Sequence, residues 1–134
     1  MNTEYPKKIA ENVLMYSGDP ILYVVTDFIS ELECEAFIEA SKGKLQPSTV
    51  ISPDKHVQHE SRTSDNCWID HDANDIVHEV SKRLSILVQM PIRNAEQYQL
   101  VFYKEGAQYK PHFDSFDYET PDGKKNWEPG GQRT

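Results

Sequence analysis

The sequence predicts an α+β domain with helices early in the chain and consecutive strands after them, and three observations predict it. Ile21 to Phe28 (ILYVVTDF) is an apolar run of β-branched and aromatic residues, the composition of a strand. Two stretches carry helical signals: a capping box, Ser30-x-x-Glu33, and an apolar repeat at Ile76, Val80, Leu84 and Leu87. Glu96 to Tyr103 then alternates in character, as a strand does. Strands of this order pair antiparallel, with helices packed on one side.

The 134 residues suffice for one domain with one core. Residues 1–19 read as an N-terminal arm and 20–134 as the domain. The net charge is −8, and both signs are mixed along the chain. A nucleic-acid surface would need a basic stripe, so that class of partner is excluded; the acidity leaves a weak preference for basic peptides. Cys34 and Cys67 form neither a C-x-x-C motif nor a zinc spacing, and read as buried free thiols. The first residues lack an apolar leader segment, and no stretch reaches the length of a membrane span, so the expectation is a soluble, cytoplasmic protein.

In chain order, Ile9, Val13 and Tyr16 sit at helical spacing, so residues 1–19 are expected to form a short helix or a frayed arm. Gly18-Asp19-Pro20 signals a turn before the Ile21 strand. Ser30 N-caps a helix whose apolar face is Leu32, Phe37 and Ala40, and Gly43 ends it. Leu45 to Ile51 is a second strand interrupted by Pro47. Ser52 to Ser61 is polar and expected to be a loop; its His56 and His59 stand in H-x-x-H spacing without supporting context. Arg62 to Ile69 is extended again. Asp72 is placed to cap a helix from Ala73 to about Met90, with Ile76, Val80, Leu84 and Leu87 inward, His71 near the cap and Pro91 closing it. Lys104 to Gln108 forms a turn around Gly106. Ser115 to Pro129 is a polar loop of the length that lids have, and Gly130 to Thr134 opens a further strand.

Between that turn and that loop lies the chemistry. In His112-Phe113-Asp114, an extended strand would point His112 and Asp114 to one face. One imidazole and one carboxylate side by side are two of the three ligands of the 2-His-1-carboxylate triad, which holds non-haem Fe(II) with open positions. Alone the tripeptide is a weak motif. Its neighbours sharpen it. Tyr103 to Asp114 (YKEGAQYKPHFD) closely resembles the Y-x-x-G-Q-x-Y-x-P-H-x-D segment of prolyl 4-hydroxylases, with the Gly-Gln pair spread over Gly106-Ala107-Gln108. Arg62-Thr63-Ser64 followed by Trp68, and Gly130-Gly131-Gln132-Arg133-Thr134, match the same family in the same order.

The resemblance, which runs from about Pro20 to Thr134, implies a double-stranded β-helix (jelly roll) with flanking N-terminal helices. It implies an Fe(II)- and 2-oxoglutarate-dependent dioxygenase that hydroxylates peptidyl proline, with ascorbate as reductant. His112 and Asp114 are then the iron ligands, Tyr103 bonds the 2-oxoglutarate carboxylate, and Tyr109 and Arg133 lie at the proline-containing peptide. Arg62 and Trp68 either shape the peptide groove or simply pack. The family's second histidine and its basic anchor for 2-oxoglutarate lie downstream of the Gly-Gly-Gln-Arg segment. The expectation is therefore an N-terminal portion of a longer enzyme, a truncated jelly roll with open sheet edges. The alternative is a non-catalytic peptide-binding half-barrel that has lost a complete iron site.

Overall fold

The computed structural model describes residues 5–52, 55–57, 60–112 and 119–125. They form two compact units, one built from the chain up to Ala40 with Asp70–Gln97, the other from Ser41–Ile69 with the chain from Tyr98 onward. Helices and antiparallel sheets give the α+β class that the sequence predicts. The described strands make separate sheets of three, three and two strands rather than a closed barrel.

The first unit opens with a meander, β1 (Lys7–Ala10), β2 (Val13–Gly18) and β3 (Ile21–Val25), in that spatial order. This corrects the helical reading of residues 1–19. Glu11 and Asn12 make a two-residue hairpin connection, and Ala10 pairs with Val13 across it. Pairing then wins over local spacing: β2 lies antiparallel to β3, with Leu14 opposite Val24, and the Thr26 N–H donates to the Asn12 carbonyl at 2.9 Å. The expected turn at Gly18–Pro20 joins β2 to β3.

Helix α1 (Glu31–Ser41) starts at the capping box as the sequence predicts. The Ser30 N–H donates to the Glu33 carboxylate at 2.8 Å, and the Glu33 N–H donates to Ser30 Oγ at 3.3 Å, so two orphan donors are satisfied reciprocally. Beyond its end Gly43 takes φ 72°, which an L side chain resists. Leu32, expected on the inward face, is exposed.

Helix α2 (Asp75–Val88) starts later than expected. Its cap is Asn74, not Asp72: Asn74 is extended, and its Oδ1 accepts from the Val77 N–H at 2.9 Å. Its Nδ2 donates to the Ala36 carbonyl of α1 at 3.5 Å. The inward stripe keeps the expected Val80 but adds Val77 and Ser81 in place of Ile76 and Leu87. Val77, Val80 and Ser81 are buried, whereas Ile76 and Leu87 are nearly half exposed. Ser81 stands on this stripe because its hydroxyl is doubly engaged, donating to the Val77 carbonyl at 2.9 Å and lying 3.0 Å from His71 Nδ1. At the other end Gln89 adopts φ 55°, and the Met90 N–H returns to the Ser85 carbonyl before Pro91. Arg83 on α2 binds both Glu33 carboxylate oxygens on α1 and donates to the Phe28 carbonyl at 2.9 Å. That guanidinium, with the Ser30 N–H, pulls the Glu33 carboxyl down to about 2.

The second unit holds the sheet β4 (Gln46–Pro47), β7 (Asp65–Ile69), β8 (Tyr98–Phe102) and the hairpin β5 (Val50–Ser52), β6 (Lys55–Val57). Pro47 is tolerated because β4 is an edge strand. Strand β6 corrects the loop expected over residues 52–61, and His56 lies in it opposite Ile51; His59 is outside the described residues. In β7, Cys67 and Ile69 are buried and Trp68, between them, is half exposed, the alternation of a strand with one solvated face. Cys34 and Cys67 are both free thiols. In the expected loop after Ser115 a short helix, α3 (Pro121–Lys125), is started by Thr120, whose Oγ1 accepts from the Gly123 N–H at 3.0 Å.

Candidate functional site

The site is built where β7 and β8 leave their ladder. Asp65 pairs with Phe102, the last residue of β8, and Lys104 reaches back to the Asp65 carboxylate at 3.1 Å. The chain then turns. The Ala107 N–H donates to the Lys104 carbonyl at 2.8 Å, and Gly106 sits third in the turn with φ 78°. A type II turn needs that positive φ, and glycine supplies it without steric cost. The turn delivers Gln108 to Lys110 alongside Ser61 to Thr63. The Thr63 N–H donates to the Gln108 carbonyl at 2.9 Å and the Lys110 N–H to the Ser61 carbonyl at 2.8 Å, and the Thr63 hydroxyl accepts from the Gln108 N–H at 2.9 Å.

This short ladder sets Arg62 directly opposite Tyr109. Directly opposed residues share a face, and the Arg62 guanidinium lies over the Tyr109 ring, 4.8 Å from its centroid. Arg62 also donates through Nη1 to the Thr49 carbonyl at 3.3 Å. Its Nε is buried and has no hydrogen-bond partner among the described residues.

Beyond Lys110 the backbone bends at Pro111, so His112 is not in a strand, contrary to expectation. The bend brings the imidazole back over Tyr109, with ring centroids 3.5 Å apart and planes 22° from parallel. His112 Nδ1 lies 2.7 Å from the Lys110 carbonyl oxygen. A carbonyl only accepts, so Nδ1 carries the proton, and in the neutral ring the lone pair is on Nε2. A metal-ligating histidine has this form, with the second nitrogen tied to a backbone carbonyl. The residues present therefore fit a divalent metal at His112 Nε2. Asp114 and Arg133 lie outside the described residues. Among the described residues no three His, Cys, Asp or Glu side chains converge as a metal site.

Tyr103 follows β8 and is exposed, separated from Tyr109 by the Gly106 turn. An open depression of about 340 Å³ runs past Arg62, with Ser48, Thr63, Ser64 and the carboxylates of Glu60 and Asp65 in its walls. Ser64 Oγ donates to Ser48 Oγ at 2.9 Å beneath it.

The Arg62–Tyr109–His112 stack is the feature that sequence reasoning missed. Arg62 and Tyr109 meet only through antiparallel pairing across residues distant in sequence, so no local pattern announces the contact. His71 was missed in the same way: its Nε2 donates to the Glu96 carbonyl at 2.8 Å while Nδ1 meets Ser81 of α2.

No helix among the described residues is long and apolar enough to cross a membrane. No protein-family model matches the chain. Curated relatives do. The chain is 35% identical over 123 residues to probable prolyl 4-hydroxylase 7 of Arabidopsis thaliana, covering 90% of this chain and 37% of that protein. Against probable prolyl 4-hydroxylase 6 of the same plant it is 33% identical over 124 residues, 90% of this chain and 41% of that protein. Against prolyl 4-hydroxylase 5 it is 31% identical over 123 residues, 90% and 40%. The chain thus spans about two fifths of the length of the relatives it matches. With nine tenths of its own length aligned in each case, and the residues around His112 already matching in type and order, the chain belongs to the prolyl 4-hydroxylase family.

Proposed function

We propose that the chain serves an Fe(II)- and 2-oxoglutarate-dependent dioxygenase activity that hydroxylates peptidyl proline. The observation that carries this reading is His112, whose Nδ1–H donates to the Lys110 carbonyl, inside a segment of prolyl 4-hydroxylase pattern. His112 Nε2 and the Asp114 carboxylate would hold the metal, whose bound state supplies oxygen activation coupled to decarboxylation of 2-oxoglutarate. Ascorbate is the reductant that this reading calls for. Tyr103, half exposed, is the residue this reading assigns to the 2-oxoglutarate carboxylate. Tyr109 and Arg133 are the residues this reading assigns to the proline-containing peptide, Tyr109 acting through its ring edge and hydroxyl. The depression beside Arg62 supports a peptide path over this surface.

The test is succinate release and hydroxyproline formation with Fe(II), 2-oxoglutarate, ascorbate and a proline-rich peptide. His112→Ala and Asp114→Ala are each expected to abolish iron-dependent turnover. Asp114→Glu is also expected to reduce it. Metal-independent turnover, or a His112→Ala variant that keeps substantial activity, would refute the assignment.

A further inference from the structure

We infer that Tyr109 and Arg62 are positioning residues for His112, a clamp that fixes the plane of the imidazole and so sets metal affinity; this rests on the proposed metal role of His112.

The geometry is an ordered stack. At a centroid distance of 3.5 Å and 22° from parallel, the imidazole covers one face of the Tyr109 ring. The guanidinium, 4.8 Å from the same centroid, has no room on that face and takes the other. Both faces of Tyr109 are thus occupied by its own chain, which leaves the ring edge and hydroxyl for anything else. A proline ring stacked face-on would have to displace Arg62 or His112.

The clamp has three points of support. Arg62 is held by the Thr49 carbonyl and by its place opposite Tyr109 in the ladder. Tyr109 is held by the flanking bonds of Gln108 and Lys110. His112 is held at Nδ1 by the Lys110 carbonyl. The stacked Tyr109 face opposes rotation of the imidazole about the Nδ1–H···O axis. Outer contacts of this kind contribute about 10-fold or more to metal affinity.

The experiment uses Tyr109→Leu, Tyr109→Phe and Arg62→Met in the full chain. The first readout needs no metal: the His112 ring signals by NMR at about pH 8, where an ordinary imidazole is neutral. Wild type and Tyr109→Phe are expected to show upfield ring-current shifts and the Nδ1–H tautomer, and Tyr109→Leu to lose the shifts. The second readout is Co(II) binding followed by absorption, without peptide or 2-oxoglutarate. Tyr109→Leu is expected to bind about 10-fold more weakly, Arg62→Met by a smaller factor, and Tyr109→Phe within about twofold of wild type. His112 signals unchanged in Tyr109→Leu, or equal Co(II) affinity in Tyr109→Leu and wild type, would overturn the clamp. Failure of the metal reading itself looks different: wild type and His112→Ala bind Co(II) equally poorly, while the NMR comparison still decides whether Tyr109 holds the ring.

Discussion

Helix α2 offers a direct test of which face is buried. Val77 is fully buried, while Ile76, its neighbour and the residue that the apolar repeat assigned inward, is 45% exposed. Val77→Ala removes two buried carbons, about 1.6 kcal/mol at roughly 0.8 kcal/mol each. The cavity left in a site that cannot fully collapse raises the cost to about 2–3 kcal/mol. Ile76→Ala removes three carbons, but only about half of their surface is out of water and no closed cavity forms. Its cost is about 1 kcal/mol, reduced further by the better helix propensity of alanine. Urea unfolding followed by circular dichroism measures both, with a shift in midpoint at constant slope as the criterion. An Ile76→Ala variant that loses as much stability as Val77→Ala would refute the observed stripe and reinstate the sequence-based face.

Three further outcomes follow from the same contacts. Asn74→Ala is expected to cost about 1 kcal/mol through loss of the bond to the Val77 N–H, whereas Asp72→Ala stays within about 0.5 kcal/mol; equal effects in thermal melts would place the cap wrongly. Glu33 titrates at about 2 in the folded chain against an ordinary 4.5, because Arg83 and the Ser30 N–H favour its charged form. Its contribution is therefore complete above about pH 4.5 and is lost as pH falls towards 2, so the stability gap between wild type and Glu33→Gln should close over that window; a gap independent of pH would exclude the ion pair as its source. Gly106→Ala meets open space around its new Cβ but keeps φ at +78°, so a cost of about 1–2 kcal/mol from backbone strain alone is expected, and a neutral melt would show that the turn changes type.

What the sequence determined by itself was everything that neighbours along the chain can decide. The capping box at Ser30 and Glu33, the glycine after α1, the Gly18–Pro20 and Gly106 turns and the His-x-Asp motif all act within a few residues, and each was legible as a short pattern. The motif also carried the family, because residue types at fixed spacing survive without knowledge of the fold. Tertiary structure decided what depends on partners far away. Residues 13–18 became a strand because β3 was there to pair with them, and residues 7–10 because β2 was, although their spacing suited a helix. Helix α2 buries Ser81 beside the expected Val80 because that side chain, polar by composition, finds two hydrogen-bond partners there. His112 left the expected strand because Pro111 bends the chain and Tyr109, itself held opposite Arg62, offers a ring for the imidazole to cover. Hydrogen bonds and ring contacts between distant residues have no signature in local sequence, which is why the His-x-Asp motif was legible in the chain and the Arg62–Tyr109–His112 stack was not.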